Sequence, residues 1–448
     1  MNTDNTAKQH ASLFDLDGVP KMSQAIPLAL QHVVAMIVGC VTPAIIISGA
    51  AGIDTADRVL LIQASLVVSA LATLLQLFPI GNKNSFHLGA GLPVILGVSF
   101  AYVPSMQAIA EQSGIPAILG AQIGGGVCAI LVGLTIKKIR KFFPPLIAGT
   151  VVFTIGLSLY PTAINYMAGG AGQPTYGAWQ NWVVAIFTLV VVTVLNHFAK
   201  GFLKLASILM GMIAGYIFSM FFGMVSFGNV AESGMFQLPQ VMHFGISFEA
   251  SACVALGLLF VINSVQAIGD FSATTAGGLD REPTTNELHG AILGYGFSNI
   301  IGAFLGCLPT ATYSQNVGIV ATTKVVNRVT LGLSALIILV AGLFPKFSAL
   351  LTTIPYAVLG GATVSVFASI AMTGMKLVMT EDMNYRNTSI VGLAAALGMG
   401  VSQASASLSA FPTWVTTIFG KSPVVIATLV AILLNVTLPK DTGKVKKN

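Results

Sequence analysis

Charge is what this sequence has least of. Only 8% of its 448 residues are Asp, Glu, Lys or Arg, against about 25% in soluble globular domains. Hydrophobic residues make up 55%, and the mean hydropathy is +0.85. A soluble domain is excluded, and a polytopic membrane protein is implied. Cysteine is sparse too. Cys40, Cys128, Cys253 and Cys307 lie in apolar stretches without CxxC spacing, which reads as small buried hydrophobes rather than disulfides or metal ligands. Metal-ligand spacings, a nucleophile elbow, a phosphate-cradling glycine loop and paired carboxylates at membrane depth are all missing, so no enzyme, metal or cofactor is expected. The first twenty residues are polar and no small-residue cleavage site follows, so no cleavable signal peptide is expected. The formal charge of +6 reads as membrane topology rather than nucleic-acid binding.

What is present is a succession of apolar stretches. Fourteen candidate spans start near Ala25, Val59, His87, Ile115, Pro144, Ala178, Leu203, Phe248, Leu288, Leu308, Val329, Tyr356, Thr388 and Pro423. Placing both termini in the cytoplasm leaves only Arg58, Lys346 and Lys421 of the 21 basic residues outside, which satisfies the positive-inside rule and supports fourteen. Loops are short. The KKIRKFF stretch at 137–143 reads as a cytoplasmic charge cluster or interfacial helix.

One stretch breaks the apolar pattern. Leu308–Arg328 packs Thr310, Thr312, Tyr313, Ser314, Gln315 and Asn316 into a run interrupted by Pro309 and Gly318 and closed by Lys324 and Arg328. A lipid-facing helix does not carry that many polar groups, whereas a segment that breaks near the midplane and lines a cavity does. Gln315 lies about 13 Å of helix rise before Lys324, near the middle of a ~30 Å hydrocarbon core. The third span, from His87, is also short and interrupted by glycine and proline. It stands seven spans before the tenth, so the two halves have opposite orientation. Paired broken segments in inverted halves point to a transporter's binding site.

The eighth span holds Asn263, Gln266 and Asp270 at spacings of three and four, on one helical face. Asp270 is the one acidic residue read as lying well inside a span, which makes it a functional candidate. Gln31 and His32 lie in the first span. His32 is a proton carrier or a hydrogen-bonding strut, and with no partner in the sequence to tune it the strut is favoured. These residues describe a secondary active transporter for a small, compact, neutral or weakly charged ligand.

The run Gln315–Lys324 resembles the signature of the nucleobase–ascorbate transporter family (nucleobase:cation symporter-2). Gln31-His32, Gly97-Val98-Ser99-Phe100 and Ile268-Gly269-Asp270 resemble further landmarks of that family. The resemblance implies an all-α membrane protein of fourteen spans in a 7+7 inverted repeat. Spans 1–4 and 8–11 (25–136 and 248–345) would form a substrate-holding core domain. Spans 5–7 and 12–14 (144–226 and 355–438) would form a gate and dimerisation domain, with 1–24 and 439–448 as cytoplasmic tails. It also implies elevator-type transport in the cytoplasmic (inner) membrane, as a homodimer, coupled to a proton. Gln315 at the first signature position favours a purine such as xanthine or urate. Uracil transport, sodium-coupled or uncoupled transport, and a sulfate-permease-type anion transporter are the alternatives.

Carried over by position, Gln315 and Gln266 would grip the base, Ser314, Asn316 and Ser99 would shape the site, and Phe100 would stack on the ring. Gly318 belongs to the signature, Thr323 and Lys324 would close it, and Asn435 would line the gate. Gln266 stands where the family usually has a proton-coupling Glu, and Tyr295 replaces an Asp found in some purine members. Asp270 then becomes the main coupling candidate, with His32 second.

Overall fold

The computed structural model describes residues 12–82, 86–135, 144–420 and 422–439. The KKIRKFF stretch, residues 1–11 and residues 440–448 lie outside these. The principal helices are α1 (Met22–Ala50), α2 (Thr55–Leu77), α3 (Val103–Leu134), α4 (Pro145–Met167), α5 (Trp179–Phe198), α6 (Ser207–Met220), α7 (Ala250–Leu279) and α8 (Thr285–Phe304). They continue with α9 (Ser314–Thr323), α10 (Arg328–Gly342), α11 (Pro345–Thr352), α12 (Tyr356–Val378), α13 (Tyr385–Gln403), α14 (Thr413–Gly420) and α15 (Pro423–Thr437). Among the described residues, seven helices are long and apolar enough to cross a membrane, and an eighth is formed if α10 and α11, bent by 82°, count as one span. This is a predominantly helical, multi-pass membrane protein.

Local chemistry sets the breaks. α3 is two helices joined at Gly114, whose φ of 74° and ψ of −172° are open to glycine and strained for other residues. The α10–α11 bend falls just before Pro345, which cannot continue a helix hydrogen-bond ladder but suits a first turn. Glu111 sits in the last turn before the Gly114 break. On the outer helices, large apolar side chains such as Ile186, Val190, Val194 and Phe198 remain exposed, as expected of a surface that faces hydrocarbon.

The all-helical expectation needs one correction, and it falls at the functional centre. Among the described residues there are four short strands: β1 (Ile80–Gly81) pairs with β2 (His87–Leu88), and β3 (Leu96–Val98) pairs antiparallel with β4 (Thr310–Thr312). In a low-dielectric interior every backbone N–H and C=O needs a partner. Two extended breaks meeting in register satisfy each other. Leu96 faces Thr312, Gly97 faces Ala311 and Val98 faces Thr310.

Candidate functional site

Each outer edge of the β3–β4 pair is closed by the helix that precedes it in the chain. From α2, Thr73 Oγ1 donates to Leu96 O (2.9 Å) and accepts from Leu96 N (3.1 Å), while Ser69 Oγ accepts from Val98 N (3.2 Å). From α8, Asn299 Oδ1 accepts from Thr310 N (2.8 Å) and its Nδ2 donates to Thr310 O (3.3 Å). Tyr313 locks the two strands together. Its backbone N–H bonds Ile95 O at 3.0 Å and its hydroxyl donates to Val98 O at 2.6 Å. The ring fits because Gly39 and Gly97 lie against it: a Cβ on Gly97 would fall 2.7 Å from the ring and 2.8 Å from Cys40 Sγ.

The pair opens onto a cavity of about 210 Å³. One side carries Ser99, Phe100, Thr312, Tyr313, Ser314 and Gln315, with Gln266 from α7 and Ala35, Val38 and Gly39 from α1. The opposite wall comes from distant sequence: Val152 and Ile155 of α4, Ile208 of α6, and Val366, Ser369, Ile370 and Thr373 of α12. Phe100 is itself braced edge-on by Phe367, with ring centroids 5.2 Å apart. The exposed Gln315 amide has no hydrogen-bond partner among the described residues. Ser99 Oγ accepts from Ala101 N at 3.2 Å and so starts the short helical turn that carries Phe100.

The structure thus brings five residues singled out from sequence to one cavity: Gln315, Gln266, Phe100, Ser314 and Ser99. Asp270 lies behind it. Its carboxylate accepts from Thr312 Oγ1 at 2.5 Å and from Ser314 Oγ at 2.9 Å, and it is 9% exposed. Among the described residues it has no salt-bridge partner. The Asn263–Gln266–Asp270 face therefore divides. Gln266 meets the cavity, Asp270 meets the start of α9, and Asn263 is buried and donates back to Leu259 O.

His32, 1% exposed, is also away from the cavity. Asn316 Nδ2 lies 3.1 Å from its Nδ1 and donates to its backbone oxygen at 3.2 Å, so the two act as a strut between α1 and α9. Gln31 borders no part of the cavity, and its buried side-chain oxygen has no hydrogen-bond partner. Gly318 and Thr323 lie further along α9, with Thr323 Oγ1 bonded to Ile319 O. Lys324 ends α9 in a left-handed conformation and pairs with Asp280 at 2.9 Å. Asn435 does not line the cavity, and its side-chain oxygen accepts from Arg386 at 2.9 Å. Tyr295 of α8 is fully buried and hydrogen-bonds Tyr102, the last residue of the short turn that carries Phe100.

Thr312 and Tyr313 stood inside the polar run without an assigned role, although they orient Asp270 and join the strands. Ser369 and Thr373, four residues apart on an apolar helix, were the available signal for the far wall.

A membrane-embedded helical protein with two broken segments joined over a small, amide-lined cavity has the build of a permease. The comparisons agree. The model described as Permease family (Xan_ur_permease) matches residues 23–407, and the chain belongs to that family. It is 35% identical over 418 residues to the uric acid permease PucJ of Bacillus subtilis, covering 91% of each chain. It is 32% identical over 416 residues to the xanthine permease of the same organism, covering 92% of this chain and 93% of that one. Among solved structures, the transmembrane domain of the cyanobacterial bicarbonate transporter BicA superposes with a TM-score of 0.60 at 15% identity, over 92% of this chain and 98% of that one. At that identity the likeness concerns the fold. The protein is a membrane permease and not an enzyme.

Proposed function

We propose that this permease carries a purine base such as xanthine or urate across the bacterial cytoplasmic membrane, coupled to a proton. The observation that carries the reading is the convergence of Gln315, Gln266, Ser99 and Ser314 with Phe100 on one cavity. Amides and hydroxyls both donate and accept, which suits the alternating N–H and C=O edge of an oxopurine. Phe100 offers a ring face or edge to a flat ligand. At about 210 Å³ the cavity falls below the roughly 300–1,000 Å³ of drug-sized sites, so it suits one compact base. The names of the relatives point to the same substrates.

Fourteen spans in two inverted halves are supported by the matched roles of Thr73 and Asn299 on the outer edges of β3 and β4. A cavity walled on one side by α1, α7 and α9 and on the other by α4, α6 and α12 supports a core that moves against a gate in elevator fashion; a homodimer is proposed from the family resemblance alone. Asp270 is the proposed proton carrier, because its bonds to Thr312 and Ser314 couple its charge to the start of α9. Both termini are proposed to be cytoplasmic, as the basic-residue count favours. Uptake of labelled xanthine, urate, hypoxanthine, guanine and uracil, with and without a collapsed proton gradient, tests the reading. Gradient-dependent uptake of purines supports it, and uptake of uracil alone would overturn the purine assignment.

A further inference from the structure

Three cavities lie in file along α1. Val38 and Gly39 border the central one, Val38 and Val41 an apolar space of about 160 Å³, and Ile45 a third cavity of about 240 Å³. Val38 is shared by the first two, and Ile354 by the last two. Gly39 and Ile45 are separated by about 9 Å of helix rise. The third cavity is at the end of the molecule remote from Lys324. The segment before α1 is bonded to the residues just past Lys324, with Val326 N donating to Leu13 O at 3.1 Å and Arg328 N to Leu16 O at 3.0 Å. The far end of α1 is therefore the opposite face, which is external under the proposed topology.

This third cavity is polar. It is lined by Arg58, Thr55, Ser226, Thr352, Thr353 and Tyr356. Arg58 Nε is buried without a hydrogen-bond partner, and among the described residues no carboxylate pairs with the guanidinium. The acidic neighbours are engaged elsewhere: Asp57 with His243 at 2.7 Å, and Asp54 with Asp57 N at 2.8 Å. α12 begins at Tyr356 with no side-chain cap, so its first N–H groups and the positive end of its dipole face the same space. Arg58 as a whole is half-buried, but a guanidinium N–H buried without an acceptor is costly to leave unpaired. Here a second positive source is added to it rather than an anion.

We propose that this cavity is a separate binding site for a planar organic anion, the ionised form of a transported oxopurine, and that it collects that form before passage to the central site. The inference rests on the purine-permease reading. Arg58 would pair with the delocalised charge, the amino end of α12 would donate to a ring oxygen, and Tyr356, braced by Tyr166 at 4.9 Å, would flank the ring. The Tyr216 hydroxyl, which borders the apolar space, bonds Thr353 Oγ1 of this cavity at 2.6 Å. A bound anion would thus wait outside a closed passage.

The test compares urate, a weak acid that is largely ionised at neutral pH, with hypoxanthine, which is largely neutral. In the full-length protein, Arg58→Gln should raise the KM for urate roughly tenfold, the value of one charge-assisted hydrogen bond, and leave hypoxanthine uptake and both maximal rates unchanged. Arg58→Lys should keep much of the urate preference. On the unaltered protein, benzoate should inhibit urate uptake more strongly than hypoxanthine uptake, a result independent of whether any variant folds. Equal effects on both bases, or no effect on either, would overturn the proposal. Failure of the purine-permease reading would look different, because the unaltered protein would then take up neither base.

Discussion

Gln315 and Asn316 are adjacent in the chain, yet the structure gives them opposite tasks, and replacing each by alanine separates these. Gln315 is exposed to the cavity and its amide is free among the described residues. Gln315→Ala therefore removes nothing from the fold. A base held by one donated and one accepted bond loses two hydrogen bonds of about 0.5–1.5 kcal/mol each. A total of about 2 kcal/mol corresponds to a KM raised about 30-fold. Asn316 is buried and holds both the ring and the backbone oxygen of His32. Asn316→Ala leaves those groups unpaired at about 1–3 kcal/mol, so it should lower the melting temperature while the KM of the surviving protein stays near the unaltered value. Uptake kinetics beside thermal denaturation in detergent measure both quantities. A Gln315→Ala protein with unchanged KM, or one that unfolds as readily as Asn316→Ala, would refute the division.

Three further changes probe other parts of the site. Asp270→Asn exchanges a carboxylate that accepts from two hydroxyls for an amide with a single acceptor oxygen. Proton-driven accumulation should vanish while exchange of base down its gradient persists, and accumulation that survives would place coupling elsewhere. Gly97→Ala forces a methyl group against the Tyr313 ring and Cys40 Sγ, an overpacking cost of about 1–3 kcal/mol. A lower melting temperature together with slower transport is expected, and wild-type values for both would show that the strand pair yields easily. Lys324→Ala breaks a surface pair with Asp280 in which both partners are well exposed, worth at most about 1 kcal/mol. Melting temperature and KM should barely move, and a large loss of uptake would give Lys324 a direct part in transport.

The sequence located the centre because polar residues are costly inside an apolar chain. The Leu308–Arg328 run and Asp270 stand out for that reason, and both belong to the site's structure. Helical spacing went only part of the way. Gln266 and Asp270 do share a face, but the extended β4 brings Thr312 over Asp270 and divides that face between cavity and interior. Three-residue strands are too short to show alternation, so β3 and β4 read only as irregular breaks. The far wall was hidden for the opposite reason. A largely apolar helix such as α12 marks its ligand-facing side only faintly, by Ser369 and Thr373 one turn apart.

A purine base is proposed to occupy the cavity between the strand pair and α12. Ser369 lies on the far wall of that cavity, so alkylation of a Ser369→Cys variant, followed at that peptide by mass spectrometry, reports occupancy directly. Saturating xanthine or urate should slow the labelling severalfold, and Gln315→Ala in the same background should abolish that protection. Labelling at the same rate with and without the bases would contradict the account.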